Sequence, residues 1–167
     1  FTFTKLSVQD IVEKASNYSC VKTAAHPFNV RHYGFYFCLK EGRFPESVMK
    51  DFDAVEVISS LCLRGMNKKA VKFSKEYKKS ITAGSDAHSM FDIGKAITCS
   101  ESDSVDSFLD SIKKKDNFVV GTETTNRARV YTYSKAMVRH MRHPANTVKV
   151  HVKTGAKELL DKRLRFL

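Results

Sequence analysis

Residues Ile81 to Gly94 read ITAGSDAHSMFDIG: a short apolar run, a break at Gly84, then Asp86 and His88 with one residue between them, then a second glycine at 94. This is the layout of a strand running into a loop that carries polar function. A carboxylate and an imidazole separated by one small residue at a strand end can both turn toward the same divalent cation. Asp and Ser also sit in loops for plain turn and capping reasons, so the pair takes its meaning from the rest of the chain.

Upstream, Thr23 to Phe28 reads TAAHPF, another apolar run ending in a histidine followed at once by proline. Proline biases the preceding residue out of the right-handed helical region, which places His26 at the end of an extended segment. Two strand ends therefore offer His26, Asp86 and His88. Between them, Ala54 to Ser60 (AVEVISS) reads as a strand with Glu56 flanked by valines. In a parallel sheet with helices outside, the valines face the helices and the carboxylate points the other way. Glu56 then either lines the site or serves it as a structural acid.

The remaining segments alternate. Ser7 to Tyr18 opens with Ser7 and Asp10 in a capping pattern and repeats Val8, Ile11, Val12 and Ala15 at helical spacing; Cys20 to Ala25 reads as a buried strand. Asn67 caps a helix, NKKAVKFSKEYKK, with Ala70, Val71, Phe73, Ser74 and Tyr77 inward and its lysines outward. Lys95 to Cys99 gives a short strand. Ser104 opens the helix SVDSFLDSIKKK, whose closing lysines suit its dipole, and Phe118 to Gly121 gives a last strand. Five strand candidates separated by helical patterns predict a parallel α/β arrangement with its active side at the carboxyl ends of the strands.

Asn29 to Pro45 lacks periodicity and is predicted to be irregular, a long loop of the kind that is usually functional or disordered. It interleaves Tyr33, Phe35, Tyr36 and Phe37 with Arg31, Lys40 and Arg43. Such a loop holds a nucleobase and its phosphate, with Arg31 and Arg43 as candidate substrate-binding residues, or it packs its own rings onto the domain. His32 stands there as a lone histidine.

Length and charge set the wider frame. The 167 residues, 42% of them hydrophobic, make one domain, or one domain and a tail. Four cysteines without CxxC pairing predict reduced thiols in an intracellular protein. No apolar stretch approaches the roughly 20 residues that span a bilayer, and no signal-peptide pattern opens the chain, so the expected location is cytoplasmic, with no membrane partner. The net charge of +11 is uneven. Residues 1–123 hold 18 Lys and Arg against 16 Asp and Glu, whereas residues 124–167 hold 11 against only Glu158 and Asp161. We therefore read residues 1–122 as the folded portion and 123–167 as a basic carboxyl-terminal segment. Arg129 to His143 and Thr154 to Leu167 read as basic amphipathic helices joined through Pro144 and a strand-like run, Val148 to Val152. His140 and His143 share a helical spacing that binds metal, but no acid or thiol stands near them. Such a tail attracts phosphate-bearing partners, nucleic acid among them, or is a solvated basic face with no partner.

Taken in order, AAHPF, DAVEVISS, the NKKA helix and TAGSDAHS followed by IGKAIT resemble the PHP superfamily, the polymerase and histidinol phosphatase family of metal-dependent phosphoesterases, over roughly residues 6–122. The resemblance implies a distorted (β/α)₇ TIM-like barrel with up to three divalent ions at its strand ends. His26 matches the ligand of the His-Pro motif; Asp86 and His88 match the closing Asp-x-His ligands and belong to the catalytic set. Imidazole and carboxylate donors suit Zn²⁺, Mn²⁺ or Fe²⁺. One departure stands out: the His-x-His motif that follows the family's first strand is absent, and residues 1–25 contain no histidine. Three ligands hold one ion, not a cluster. The expectation is therefore the carboxyl-terminal half of such a barrel with a basic helical tail, in a protein whose activity needs an amino-terminal half. The expected function is hydrolysis of a phosphate ester (a nucleotide, a nucleic-acid end or a small phosphomonoester) by metal-activated water. The alternative is a PHP-like module without catalysis that binds nucleic acid or partners through its tail.

Overall fold

The computed structural model describes residues 6–30, 34–126, 129–131, 134 and 138. Contacts divide the chain into two units, Phe1–Thr124 and Thr125–Leu167.

The first unit begins with helix α1, Val8–Ala15. Ser7 Oγ accepts from the Asp10 amide at 3.1 Å, and Asp10 Oδ2 accepts from the Ser7 amide at 3.0 Å. That reciprocal capping box satisfies two amides which a helix start leaves without partners. Strand β1 is only Thr23–Ala24, shorter than the predicted Cys20 to Ala25. Next, the stretch predicted to be irregular contains helix α2, Phe35–Lys40. Tertiary packing organises it: the rings of Phe35 and Phe44 lie 4.8 Å apart and those of Phe28 and Tyr36 4.4 Å apart. Of the two readings of this loop, Phe35 and Tyr36 follow the one in which rings pack onto the domain; Arg31, His32 and Tyr33 lie outside the described residues.

Strand β2, Ala54–Ser59, leads through helix α3, Arg64–Glu76, to strand β3, Ser80–Gly84. The three strands form one parallel sheet in the order β1-β2-β3, with Ala24 opposite Val55 and Val55 opposite Ile81. Val55 and Val57 of β2 are 0% and 2% exposed and join Phe28, Met49, Ala70 and Phe73 in the main core. This is the alternation that the sequence predicts, with Glu56 on the opposite side of the strand. Contrary to the expectation that it caps α3, Asn67 sits one turn inside the helix and is buried. Its Oδ1 accepts from the Ser59 amide and its Nδ2 donates to the Ser59 carbonyl, both at 3.2 Å. The amide that suits a cap is thus used to fasten α3 to the end of β2, and Leu63 takes the cap position.

Strand β4, Ala96–Cys99, helix α4, Val105–Lys114, and strand β5, Phe118–Gly121, complete the unit. Ser104 caps α4 as expected, its Oγ accepting from the Ser107 amide at 3.2 Å. The five-stranded parallel sheet is not formed, because β4 and β5 pair antiparallel in a sheet of their own. Side chains from this second sheet and from the turn before β5 occupy the outer edge of β3. The Thr98 hydroxyl accepts from the Ala83 amide at 2.9 Å and donates to the Ala83 carbonyl at 3.1 Å. Asn117 accepts from Ser80 Oγ at 2.8 Å and donates to the Ile81 carbonyl at 2.6 Å. With those edge groups satisfied, a fourth parallel strand has nothing to pair with. The described residues make an α/β fold with a parallel sheet and helices, and no closed barrel.

In the second unit, residues 126, 129–131, 134 and 138 are helical. His140, His143, the run from Val148 and the helix predicted from Thr154 lie outside the described residues. None of Cys20, Cys38, Cys62 and Cys99 is in a disulfide. Among the described residues, no helix is long and apolar enough to cross a membrane.

Candidate functional site

His26 stands two residues after the end of β1, but its backbone is not the extended one expected before proline: φ is +26°, a left-handed conformation costly to a residue with a Cβ. The surroundings hold it there. Its amide donates to Glu56 Oε2 at 2.6 Å, its carbonyl accepts from the Asn29 amide at 2.9 Å, and the Pro27 carbonyl accepts from the Tyr36 amide at 2.9 Å. The turn is also closed against Gly34, where a Cβ would meet the Pro27 carbonyl oxygen at 2.5 Å.

Glu56 is positioned by β2, whose pairing with β3 shifts register between Glu56 and Ile58, the kind of irregularity that re-aims a side chain. While Oε2 holds the His26 amide, Oε1 lies over Gly84, within 2.5 Å of where a Cβ on that residue would stand. One carboxylate thus joins the ends of β1 and β3. Burial pushes this carboxyl above its ordinary range and the charge of Asp86 adds to the shift, while the hydrogen bond from the His26 amide and the His26 imidazole oppose it. His26 and Asp86 are therefore both close enough to Glu56 to act on its charge.

Asp86 also has a positive φ, +48°, so two of the three predicted ligands sit in strained backbone, a feature that clusters at functional sites. His88 Nε2 lies 3.7 Å from Asp86 Oδ1, with side chains 59% and 26% exposed respectively; the imidazole faces solvent. The loop around them is well anchored. Ser60 Oγ donates to the Ser85 carbonyl at 3.2 Å. Asp92 is fully buried, accepting from Ser89 Oγ at 2.6 Å and from Lys95 Nζ at 3.0 Å.

The metal expectation has support and a limit. His26 Nδ1 is buried without a hydrogen-bond partner, an arrangement that asks for a ligand. Imidazole and carboxylate together are the donors that Zn²⁺, Mn²⁺ or Fe²⁺ prefer. Among the described residues, however, no group of three or more His, Cys, Asp or Glu is disposed to hold a metal ion. His26 and Asp86 gather around Glu56, and His88 stands beside Asp86 on its open side. These residues do not make a complete metal site by themselves.

Of the candidate substrate-binding residues, Arg43 pairs with Glu41 at 2.8 Å in the turn after α2, and Arg31 lies outside the described residues. Sequence reasoning passed over Asp92 and read Gly84 only as a break at a strand end. Asp92 had a readable signal, since Ser89 and Asp92 repeat the spacing of Ser7 and Asp10. Gly84 had none beyond its place at a strand end, because what it makes room for comes from β2.

A family model described as PHP-associated matches residues 65–117, from the first turn of α3 through the Asp86 and His88 loop to the turn before β5. No curated protein and no solved structure matches the chain.

Proposed function

We propose that this chain, PHP-related over residues 65–117, works as the carboxyl-terminal half of a metal-dependent phosphoesterase barrel, contributing His26, Asp86 and His88 to a centre completed by ligands from elsewhere in the whole protein. The observation that carries this reading is the convergence on Glu56, which holds the His26 amide at 2.6 Å and lies against Gly84 at the mouth of the Asp86 loop. Glu56 fixes the turn that aims His26, Asp86 supplies a carboxylate, and His88 supplies an imidazole beside it that faces solvent. A divalent ion bound there would supply a nucleophilic water near neutral pH and offset charge on the phosphoryl oxygens. The basic excess in residues 124–167 would gather the anionic substrate.

The test is metal content together with hydrolysis of a chromogenic phosphate monoester, measured on the whole protein and on His26→Ala, Asp86→Ala and His88→Ala. Each variant is expected to lose metal and activity together. Unchanged metal content and unchanged hydrolysis in His88→Ala would remove the reading. A second reading, a module that binds nucleic acid without catalysis, draws on the same basic excess. It requires nucleic-acid affinity that falls steeply with salt and survives all three substitutions.

A further inference from the structure

The turn that follows the Asp86 and His88 pair holds three large apolar side chains in solvent. Met90, Phe91 and Ile93 are 85%, 75% and 71% exposed. Single apolar residues on a surface need no explanation; three within four positions, beside a candidate site, do.

Looseness does not explain them. The residue in their midst, Asp92, is 0% exposed and bonded to Ser89 and Lys95, and its amide donates to the Ser89 carbonyl at 3.0 Å. The turn closes at Gly94, whose φ of +76° suits a residue without a Cβ. The three side chains are thus held outward by a buried anchor. They are also near the site of reaction by chain length alone. Phe91 is three residues from His88, so its Cα lies within roughly 11 Å of that of His88, and the limit for Met90 is shorter. Meanwhile Phe35 and Tyr36, which the sequence offered as a place for a base, are partly buried and pack their rings against the core.

We infer that Met90, Phe91 and Ile93 form a platform for the base of a nucleoside phosphate whose phosphate lies at Asp86 and His88. The inference rests on the phosphoesterase reading and narrows its substrate class, from any phosphate ester to one carrying an aromatic base. Phe91 offers the ring face on which the base stacks. Met90 adds a polarisable sulfur, which makes favourable contacts with aromatic rings, and Ile93 adds apolar area at the edge. Every base has a π-face, so such a platform discriminates base from no base and little between bases.

The test is equilibrium binding of adenosine, adenosine monophosphate and ribose 5-phosphate to the full chain and to its Phe91→Ala and Phe91→Trp variants. Phe91 is exposed, so folding is expected to survive, and Phe91→Trp keeps a stacking face as an internal control. Phe91→Ala is expected to weaken adenosine and adenosine monophosphate by about 5-fold to about 150-fold, the worth of one base stacked on an aromatic ring. Ribose 5-phosphate is expected to bind unchanged, and Phe91→Trp to restore both base-bearing ligands. Adenosine monophosphate binding that ignores Phe91→Ala, or ribose 5-phosphate binding that falls in step with it, overturns the platform. So does finding that the wild type pairs with a second copy through this turn and that Phe91→Ala abolishes only the pairing. Ribose 5-phosphate bound with no gain from a base removes the platform and leaves the phosphoesterase reading standing. Phe91-dependent adenosine binding with neither phosphate bound overturns both, since the platform is for a base whose phosphate lies at Asp86 and His88.

Discussion

The Glu56 carboxylate fills the space that a side chain at residue 84 would need: a Cβ on Gly84 would meet its Oε1 at 2.5 Å, while Oε2 holds the His26 amide at 2.6 Å. Residue 84 is glycine for reasons of approach, with no left-handed backbone involved. Gly84→Ala would displace the far end of a flexible side chain, which can move. The expected loss of stability is about 1.5–3 kcal/mol, on the order of one hydrogen bond to a charged group, with a cooperative transition retained. The effect on the site is larger, because the carboxylate must leave His26. Hydrogen exchange at the His26 amide is expected to accelerate, and unchanged protection in the folded variant would show that Glu56 does not hold the turn.

Tyr77 carries a separate pH response. Its hydroxyl donates to the Glu46 carboxylate; burial first, then that hydrogen bond and the Glu46 charge, push the phenol from its ordinary value of 10.0 up to about 12. Between those values the folded protein keeps a proton that the unfolded chain has released. Its contribution to stability is therefore intact below pH 10, declines above it, and is lost as pH rises through about 12. Urea melts across the alkaline range should show this decline in the wild type and a shallower one in Tyr77→Phe. Matching alkaline limbs in the two proteins would refute the assignment.

Thr98 takes the place of a neighbouring strand at the outer edge of β3. Thr98→Val keeps the shape and removes both contacts to Ala83, leaving a part-buried amide without its acceptor. The expected cost is about 1–3 kcal/mol, read from the denaturation midpoint at unchanged m-value. Thr98→Ser retains the hydroxyl and should lose less. If the valine and serine variants are equally stable, the edge does not depend on that hydroxyl.

Phe73 of α3 is 3% exposed, with its ring 5.7 Å from that of Phe28 and 4.7 Å from that of Tyr77. Phe73→Ala removes a ring that three elements share and is expected to cost about 3–5 kcal/mol. Against a total that is usually about 5–15 kcal/mol for a domain, this leaves a protein close to unfolding at room temperature. A loss below about 1 kcal/mol would mean that the core collapses onto the cavity.

The parts of the candidate site legible in the sequence were those carried by neighbours in the chain. The Asp86 and His88 spacing, the histidine before Pro27 and the acid between two valines are each local patterns, and the structure brings His26 and Asp86 around Glu56. The φ of +26° at His26 was not legible, because proline's bias describes the dipeptide alone, and Glu56, Asn29 and Tyr36 override it from outside. Helix α2 was missed because its rings bury against Phe28, Phe44 and Phe73, residues that no window around 35–40 contains.

By itself the sequence determined where α1 and α4 begin, since Ser7 with Asp10 and Ser104 with Ser107 satisfy helix amides within one turn of chain. It also determined which face of β2 is apolar, because alternation along a strand needs no partner to be read. Only the tertiary structure decided that Asn67 fastens a helix and does not start one. The same holds for the fourth and fifth strands, which pair with each other and leave the edge of β3 to Thr98 and Asn117. The physical reason is that a buried polar group takes whichever partner the fold brings within hydrogen-bond reach, and for these residues that partner lies 8 to 37 positions away.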